Sequence, residues 1–507
     1  MQGSERLGRE LLDAMGLCGE LAPEGSVCRF LAEHRLRLFP DEMFSDLFPS
    51  GRGRPSTPGS VIGVVLVLQA LECMSDREAV QRLRCDIRWK AAAGLALTDE
   101  GFHPSVLTLW RARLRGSDRP DRVFDAVREV IAESGVLKNK TRRALDSTIL
   151  DDAVATQDTI TMMWSQIRRC RRLIPEAARL VLVAHDYESA GKPWCDWSDP
   201  ESRSGLVNGL VADGRAVIEA CENLELDPDQ ADALGLLAVV CGQDVEADPE
   251  RPGRWRIARR VAKDRTISVV DPQSRHGRKT SSKKRDGHKA HVAVEPETGL
   301  VTETDLTPAN TADSEPAPDL IAQEETPVEI VADSAYGSGP LLKTFDDQDH
   351  NTIIKPIQRK PRIKGGYHRD DFDIDTVGRT VTCPAGHTTR IRPGNTASFS
   401  KRCNGCPLPA RCATAKTGRT VTVDEYHDHR EANKARFREN QNVYRDYRPP
   451  VERTIAWLTR GKARRVPYRG LTRNRCWLTT RAAAINLQRL INLGLIHTTG
   501  GWATNPA

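Results

Sequence analysis

The sequence predicts an α/β protein, a mixed-sheet core preceded by an N-terminal all-α domain and interrupted by a helical insertion and a small Cys-rich insertion. Three observations carry this. Short β-branched runs alternate with helical stretches over residues 267–354, which points to α/β rather than all-β architecture. Residues 1 to about 140, and again about 156–250, read as helices joined by polar turns. Residues 360–430 are irregular and hold Cys383, Cys403, Cys406 and Cys412 close together. A chain of 507 residues also exceeds what one core fills, since single cores rarely grow past roughly 250–300 residues.

The predicted order is 1–140, N-terminal helical DNA-binding domain; 141–155, first core strand; 156–255, helical insertion; 256–358, core; 359–431, Cys-rich insertion; and 432–507, closing helices. The apolar run Val61 to Leu71 is interrupted by Gln69 and falls short of the roughly 18 residues a membrane span needs. Ser75-Asp76-Arg77-Glu78 is a capping box, in which hydroxyl and carboxylate each satisfy an orphan amide at a helix start. His103-Pro104-Ser105 opens a helix carrying Arg111, Arg113 and Arg115, and Asp121 to Ser134 forms another. These helices fit a helix-turn-helix relative or a plain bundle equally well. Ala144-Leu145-Asp146-Ser147-Thr148 reads as a strand ending in polar residues. Helices are expected at Thr161 to Leu173, Pro175 to His185, Arg203 to Asn223 and Asp229 to Val240. Strands follow at Ile267 to Val270, His291 to Val294, Leu300 to Thr304, Val328 to Ala332 and Thr352 to Ile354, with Gly299 suited to a hairpin turn. Asn433 to Tyr447 is a polar helix. Pro449-Pro450 then opens another, with Val451, Ile455 and Leu458 on one face, and Leu478 to Leu493 closes the chain.

The 75 basic and 69 acidic residues leave a net charge of only +6, so distribution decides its meaning. Seven basic residues against Asp286 alone lie between Arg275 and Lys289, and nine with no acid between Arg453 and Arg481. The remainder is net acidic. Such segregation suits a polyanion-binding surface. The basic residues singled out for DNA are Arg278, Lys279, Lys283, Lys284, Arg285, Lys289, Arg448, Arg453, Arg460, Lys462, Arg464 and Arg465, with Arg111 and Arg113 on their helix. Arg52 and Arg54 suit a narrow minor groove, or a plain linker. The opening residues lack the apolar segment of a secretory signal. Thirteen cysteines, an odd number, argue for reduced thiols. A cytoplasmic, nucleoid-associated protein without a membrane partner is expected.

Three acids stand where an active site would want them. Asp146 follows a strand-like run, Asp333 terminates Val328 to Ala332, and Glu452 lies in the helix after Pro450. Two strand-end carboxylates and one helix carboxylate suit a pair of Mg²⁺ ions about 4 Å apart. Asp151 and Asp152 are rivals for the first position, better read as caps of the next helix. No GxxxxGK[ST] segment occurs, so no nucleotide cofactor is expected.

Ordered blocks now carry a resemblance. Asp146-Ser147-Thr148, Gly287-His288-Lys289-Ala290-His291-Val292-Ala293, Thr307-Pro308-Ala309-Asn310 with Asp313, Asp333-Ser334-Ala335-Tyr336-Gly337 and Val451-Glu452-Arg453 resemble bacterial insertion-sequence transposases of the DDE type. Arg464-Arg465, Tyr468-Arg469-Gly470 and Asn486-Leu487 extend the likeness, as do Leu71 to Leu95 and Phe102 to Ser105 in the N-terminal helices. The resemblance implies a ribonuclease-H-like core and a metal-binding triad of Asp146, Asp333 and Glu452. It implies Mg²⁺ (or Mn²⁺) dependent cleavage of transposon ends and transfer of the freed 3′-hydroxyls into target DNA, by a homodimer or larger assembly on double-stranded DNA. Related enzymes carry a tyrosine, arginine, glutamate and lysine signature. Here Arg448 is in place, the tyrosine position is Arg445 with Tyr444 and Tyr447 nearby, and the lysine position is Thr459.

Cys403-Asn404-Gly405-Cys406, Cys383 and Cys412 supply four thiolates for a structural Zn²⁺, with His387 a possible substitute. Two alternatives stay open: a domesticated relative that binds DNA without cutting it, and a zinc-stapled structural or regulatory protein.

Overall fold

Apolar residues on both sides of the central strands build the sheet, because successive side chains alternate between its faces. A computed structural model describes residues 1–4, 12–189, 191–278, 284–358, 361–415 and 417–505. Its main sheet has six strands: β1 (Arg142–Asp151), β2 (Arg275–Arg278), β3 (Lys284–Val294), β4 (Val301–Pro308), β5 (Glu329–Ala332) and β6 (Asn351–Ile354). β3 pairs antiparallel with β1 along one edge and with β2 and β4 along the other; β1, β5 and β6 run parallel. Gly287 sits where β3 meets the end of β1; at φ 148° it has no room for a side chain, since a Cβ would meet the Leu150 carbonyl.

One face of the sheet (Ala144, Val292, Val294, Val331, Ile353) shares a single core with the N-terminal helices and with the helix Leu471–Asn492. The other face (Leu145, Ala293, Ile330, Ala332, Ile354) packs on Tyr336, Leu341 and Phe345. The helical insertion has a separate core around Met162, Met163, Ile167, Leu210 and Leu237. No single helix among the described residues is long and apolar enough to cross a membrane. The apolar helix Gly59–Glu72 is nearly all buried in the protein.

Several expectations hold in detail. Ser75 and Glu78 form the capping box of Asp76–Cys85, and Gly299 turns the hairpin at φ 75°. Others need correction. Ile267 to Val270 is not a strand: side chains hold this loop, Gln157 accepting from the Val269 amide and Gln243 bracketing Thr266. The helix opening at Pro175 stops at Arg179. Asp158, not Asp151 or Asp152, caps Thr159–Leu173. Residues 373–422 are not wholly irregular; a three-stranded and a two-stranded sheet enclose Phe372, Val381, Phe399 and Val421. A C-terminal hairpin, Leu495–Thr498 with Gly501–Thr504, was not foreseen and sets Trp502 against Phe30 and His34.

Pro449 and Pro450 do not open a helix; they lie inside Gln441–Leu458. A proline there removes the amide that would bond the carbonyl four residues back. Those carbonyls belong to Arg445 and Asp446, both exposed, so water can satisfy them. The helix continues through the pair, with Val451, Thr454 and Leu458 buried beyond it.

Arg481 fastens three elements together. Its buried guanidinium donates to the carbonyls of Ala70, Trp457 and Leu458, at the C-terminal ends of Gly59–Glu72 and Gln441–Leu458. Two negative helix ends thus share one cation.

Candidate functional site

Register puts the two aspartates side by side. Leu145 of β1 pairs with Ala332 of the parallel β5, so Asp146 and Asp333 follow as the next residues on neighbouring strands. Two-residue periodicity sends Asp146 to the face of Ala144 and Asp333 to the face of Val331, the face that Gln441–Leu458 covers. That helix turns Val451, Thr454 and Leu458 inward and leaves Glu452 beside them, its side chain 66 % exposed. Asp333 also caps the turn Ser334–Tyr336, accepting from the Ala335 amide at 2.9 Å.

Arg448, one helical turn before Glu452, reaches all three acids. Its Nη2 lies 2.8 Å from Asp146 and 3.7 Å from Asp333, and its Nε 3.9 Å from Glu452. Nη1 donates to the Leu145 carbonyl at 3.0 Å. Burial pushes the Asp146 carboxyl above its usual pKa, outweighing the pull of Arg448. Burial would lower the guanidinium, but Asp146 and Asp333 carry it above its ordinary value. Among the described residues no three His, Cys, Asp or Glu side chains stand as a ready-made metal group, at the carboxylates or at the cysteines; at the carboxylates the Arg448 guanidinium lies between the side chains.

The rivals are engaged elsewhere. Asp151 forms a two-pronged pair with Arg285, and Asp152 accepts from Ser274. Tyr444, two turns before Glu452, enters the sequence reading only as a neighbour of the tyrosine position and not as a site residue. Burial raises its pKa, with the charges of Arg448, Asp333, Glu452 and Asp146 all acting on it. The four-residue spacing from Arg448 was the available signal. Tyr447 turns away, onto Arg142 and Glu297. Thr459 bonds Arg464, which also reaches Thr148 of β1. Tyr336 is fully buried beneath the aspartates, its hydroxyl without a partner among the described residues.

Many cations singled out for DNA are held within the protein. Arg111 pairs with Asp76 and Gln69, Arg113 donates to the Leu47 carbonyl over the Phe48 ring, and Lys289 pairs with Asp313. Lys462 pairs with Glu78. Arg52, Arg54, Arg278, Lys284, Arg453, Arg460 and Arg465 are exposed. Lys279 and Lys283 lie outside the described residues.

In the Cys-rich insertion, Cys383, Cys403, Cys406 and Cys412 line one cavity of 180 Å³ together with His387. Backbone amides of Arg419 and Leu408 point at the sulfurs of Cys403 and Cys406, at 3.5 and 3.4 Å. Burial raises the Cys412 thiol, and the other three cysteines add to it. All thirteen cysteines are free thiols.

A mixed sheet with one carboxylate within a central strand, a second just past the end of its parallel neighbour and a third on a covering helix is an architecture for divalent-metal chemistry on phosphate. A transposase DDE domain model matches residues 258–487, and a transposase domain (DUF772) model matches residues 19–113. The chain belongs to the insertion-sequence DDE transposases. The family implies a ribonuclease-H-like core, DNA as substrate and general use of divalent metal ions. The DDE match includes Asp333 and Glu452 but begins after the strand that bears Asp146. No curated protein and no solved structure matches the chain.

Proposed function

We propose that the protein cleaves transposon ends and joins the 3′-hydroxyls to target DNA, with Asp146, Asp333 and Glu452 holding two Mg²⁺ or Mn²⁺ ions. The observation that carries this reading is the single guanidinium touching all three carboxylates, for a cation between three hard oxygen donors marks where divalent ions would bind. When bound, the ions stabilise the attacking and leaving oxygens of an in-line displacement. The chain's own residues do the rest. Arg448 and Tyr444 share the helix of Glu452 and face the two aspartates, placed to meet a phosphate once Arg448 releases them. Arg453, exposed beside Glu452, adds positive charge at the rim. Two ends imply two active sites, hence a dimer or larger assembly on DNA.

Asp333→Ala is expected to abolish Mg²⁺-dependent nicking of a plasmid bearing the element's terminal repeats. The loss should be on the order of 10³-fold or more, the scale of removing one member of a catalytic unit. Duplex binding should persist. Equal nicking by variant and wild type would end the reading.

We further propose that the four cysteines hold a structural Zn²⁺. They share one cavity, and backbone amides already point at two of the sulfurs as thiolates require. Metal analysis of purified protein should find about one zinc per chain. Chelation, or Cys406→Ser, should expose residues 373–422 to protease. Metal-free protein with the insertion intact would refute the site.

A further inference from the structure

Where the N-terminal helices meet the loop after the glutamate helix, the fold leaves a cleft of 760 Å³. The start of Asp76–Cys85, the end of Ser105–Arg115, and residues 462–481 form its walls. Seven basic side chains line it against three acids, Asp76, Glu78 and Asp121. Asp76 is already paired with Arg111 and Glu78 with Lys462, while Asp121 accepts from the Thr479 hydroxyl. Arg77, Arg115, Arg465 and Arg473 have no ion-pair partner among the described residues. Arg115 is half-buried; burial and the nearby charge of Arg473 hold its guanidinium below the ordinary pKa.

Four uncompensated guanidiniums turned into one cleft repel one another, an arrangement that costs stability unless an anion enters. The cleft also has a fixed relation to the carboxylates. Arg465 bridges to Asp151, at the far end of the strand that carries Asp146 five residues earlier. At about 3.3 Å per residue that is roughly 16 Å, or about five nucleotides at roughly 3.4 Å per step.

We propose that this cleft takes the sugar–phosphate backbone of the DNA strand leaving the catalytic carboxylates, entering beside Arg465 about five nucleotides from the cut, with Arg115 and Arg473 each neutralising a phosphate. This rests on the proposed DNA cleavage and adds to it a phosphate subsite between the N-terminal helices and the core. The contact carries no base recognition, since phosphates position DNA without reporting its sequence.

The test is the double variant Arg115→Gln/Arg473→Gln in the full chain, assayed with two 30-bp duplexes, one carrying the element's terminal repeat and one scrambled. Affinity for both should fall, and the slope of log K against log salt should drop by about two, near 0.9 per phosphate contact. Arg115→Lys/Arg473→Lys should restore the slope. A fall confined to the terminal-repeat duplex would overturn the subsite, since a phosphate contact does not distinguish the two sequences. If the double variant misfolds, Arg77→Gln on the exposed lip should lower the slope by about one. An unchanged slope in a folded variant overturns the proposal while Asp333-dependent nicking stands. Wild-type protein that binds neither duplex overturns the cleavage reading instead.

Discussion

Replacing Arg448 with methionine is expected to destabilise the metal-free protein by about 3 kcal/mol, the scale of breaking a buried ion pair by removing one partner. The pair with Asp146 decides the size: each side chain is only 12 % exposed and they lie 2.8 Å apart. Asp333 and Glu452 are more exposed, so water screens much of their repulsion and they add less. Urea unfolding with and without Mg²⁺ checks it. The variant keeps all three carboxylates and loses the cation that competes for them, so Mg²⁺ should raise its midpoint more than that of wild type. Nicking should fall as well, because the phosphate loses a donor. A variant that unfolds at the wild-type urea concentration would show that the guanidinium does not hold the carboxylates together.

Arg481→Leu is expected to cost about 3 kcal/mol or more, by a different mechanism. No carboxylate faces this arginine. Three backbone carbonyls at two helix ends do, and each left without a donor costs roughly 1–3 kcal/mol. The break should be felt where the N-terminal helices meet the core, so protease should cut first near residues 73–75 rather than in the sheet. Arg481→Lys, which can reach one or two of the carbonyls, should fall between. Wild-type stability in Arg481→Leu would mean that water takes over the carbonyls.

The distance between sequence and structure can be read from particular residues. Asp333 was legible because an apolar run stopping at a polar residue is a local pattern; Asp146 was found by the same pattern, yet β1 runs on to Asp151 and leaves it in mid-strand, where sheet register sets it beside Asp333. The capping box at Ser75 was legible for the same reason. Ile267 to Val270 has strand composition, yet the side chains of Gln157 and Gln243, distant in sequence, take up its backbone groups. Arg111 looked available for DNA because its partner Asp76 lies on another helix. The proline pair misled because exposed carbonyls make its missing amides tolerable, which spacing does not report. Tyr444 was named from sequence, but only the packed helix shows that it and not Tyr447 faces the acids.

The insertion between β1 and its partners bears on how the chain is made. β3 follows β1 by roughly 140 residues, which at about 5–20 residues per second means a wait of roughly 10–30 s on the ribosome. Through that interval β1 exposes apolar side chains on two faces and an unpaired backbone on both edges. The insertion, with its own core, can complete itself meanwhile. Nascent chains stalled before residue 294 therefore contain a folded helical module and, ahead of it, a sticky unpaired strand, a natural target for chaperones and proteases and a source of poor yield when synthesis is forced.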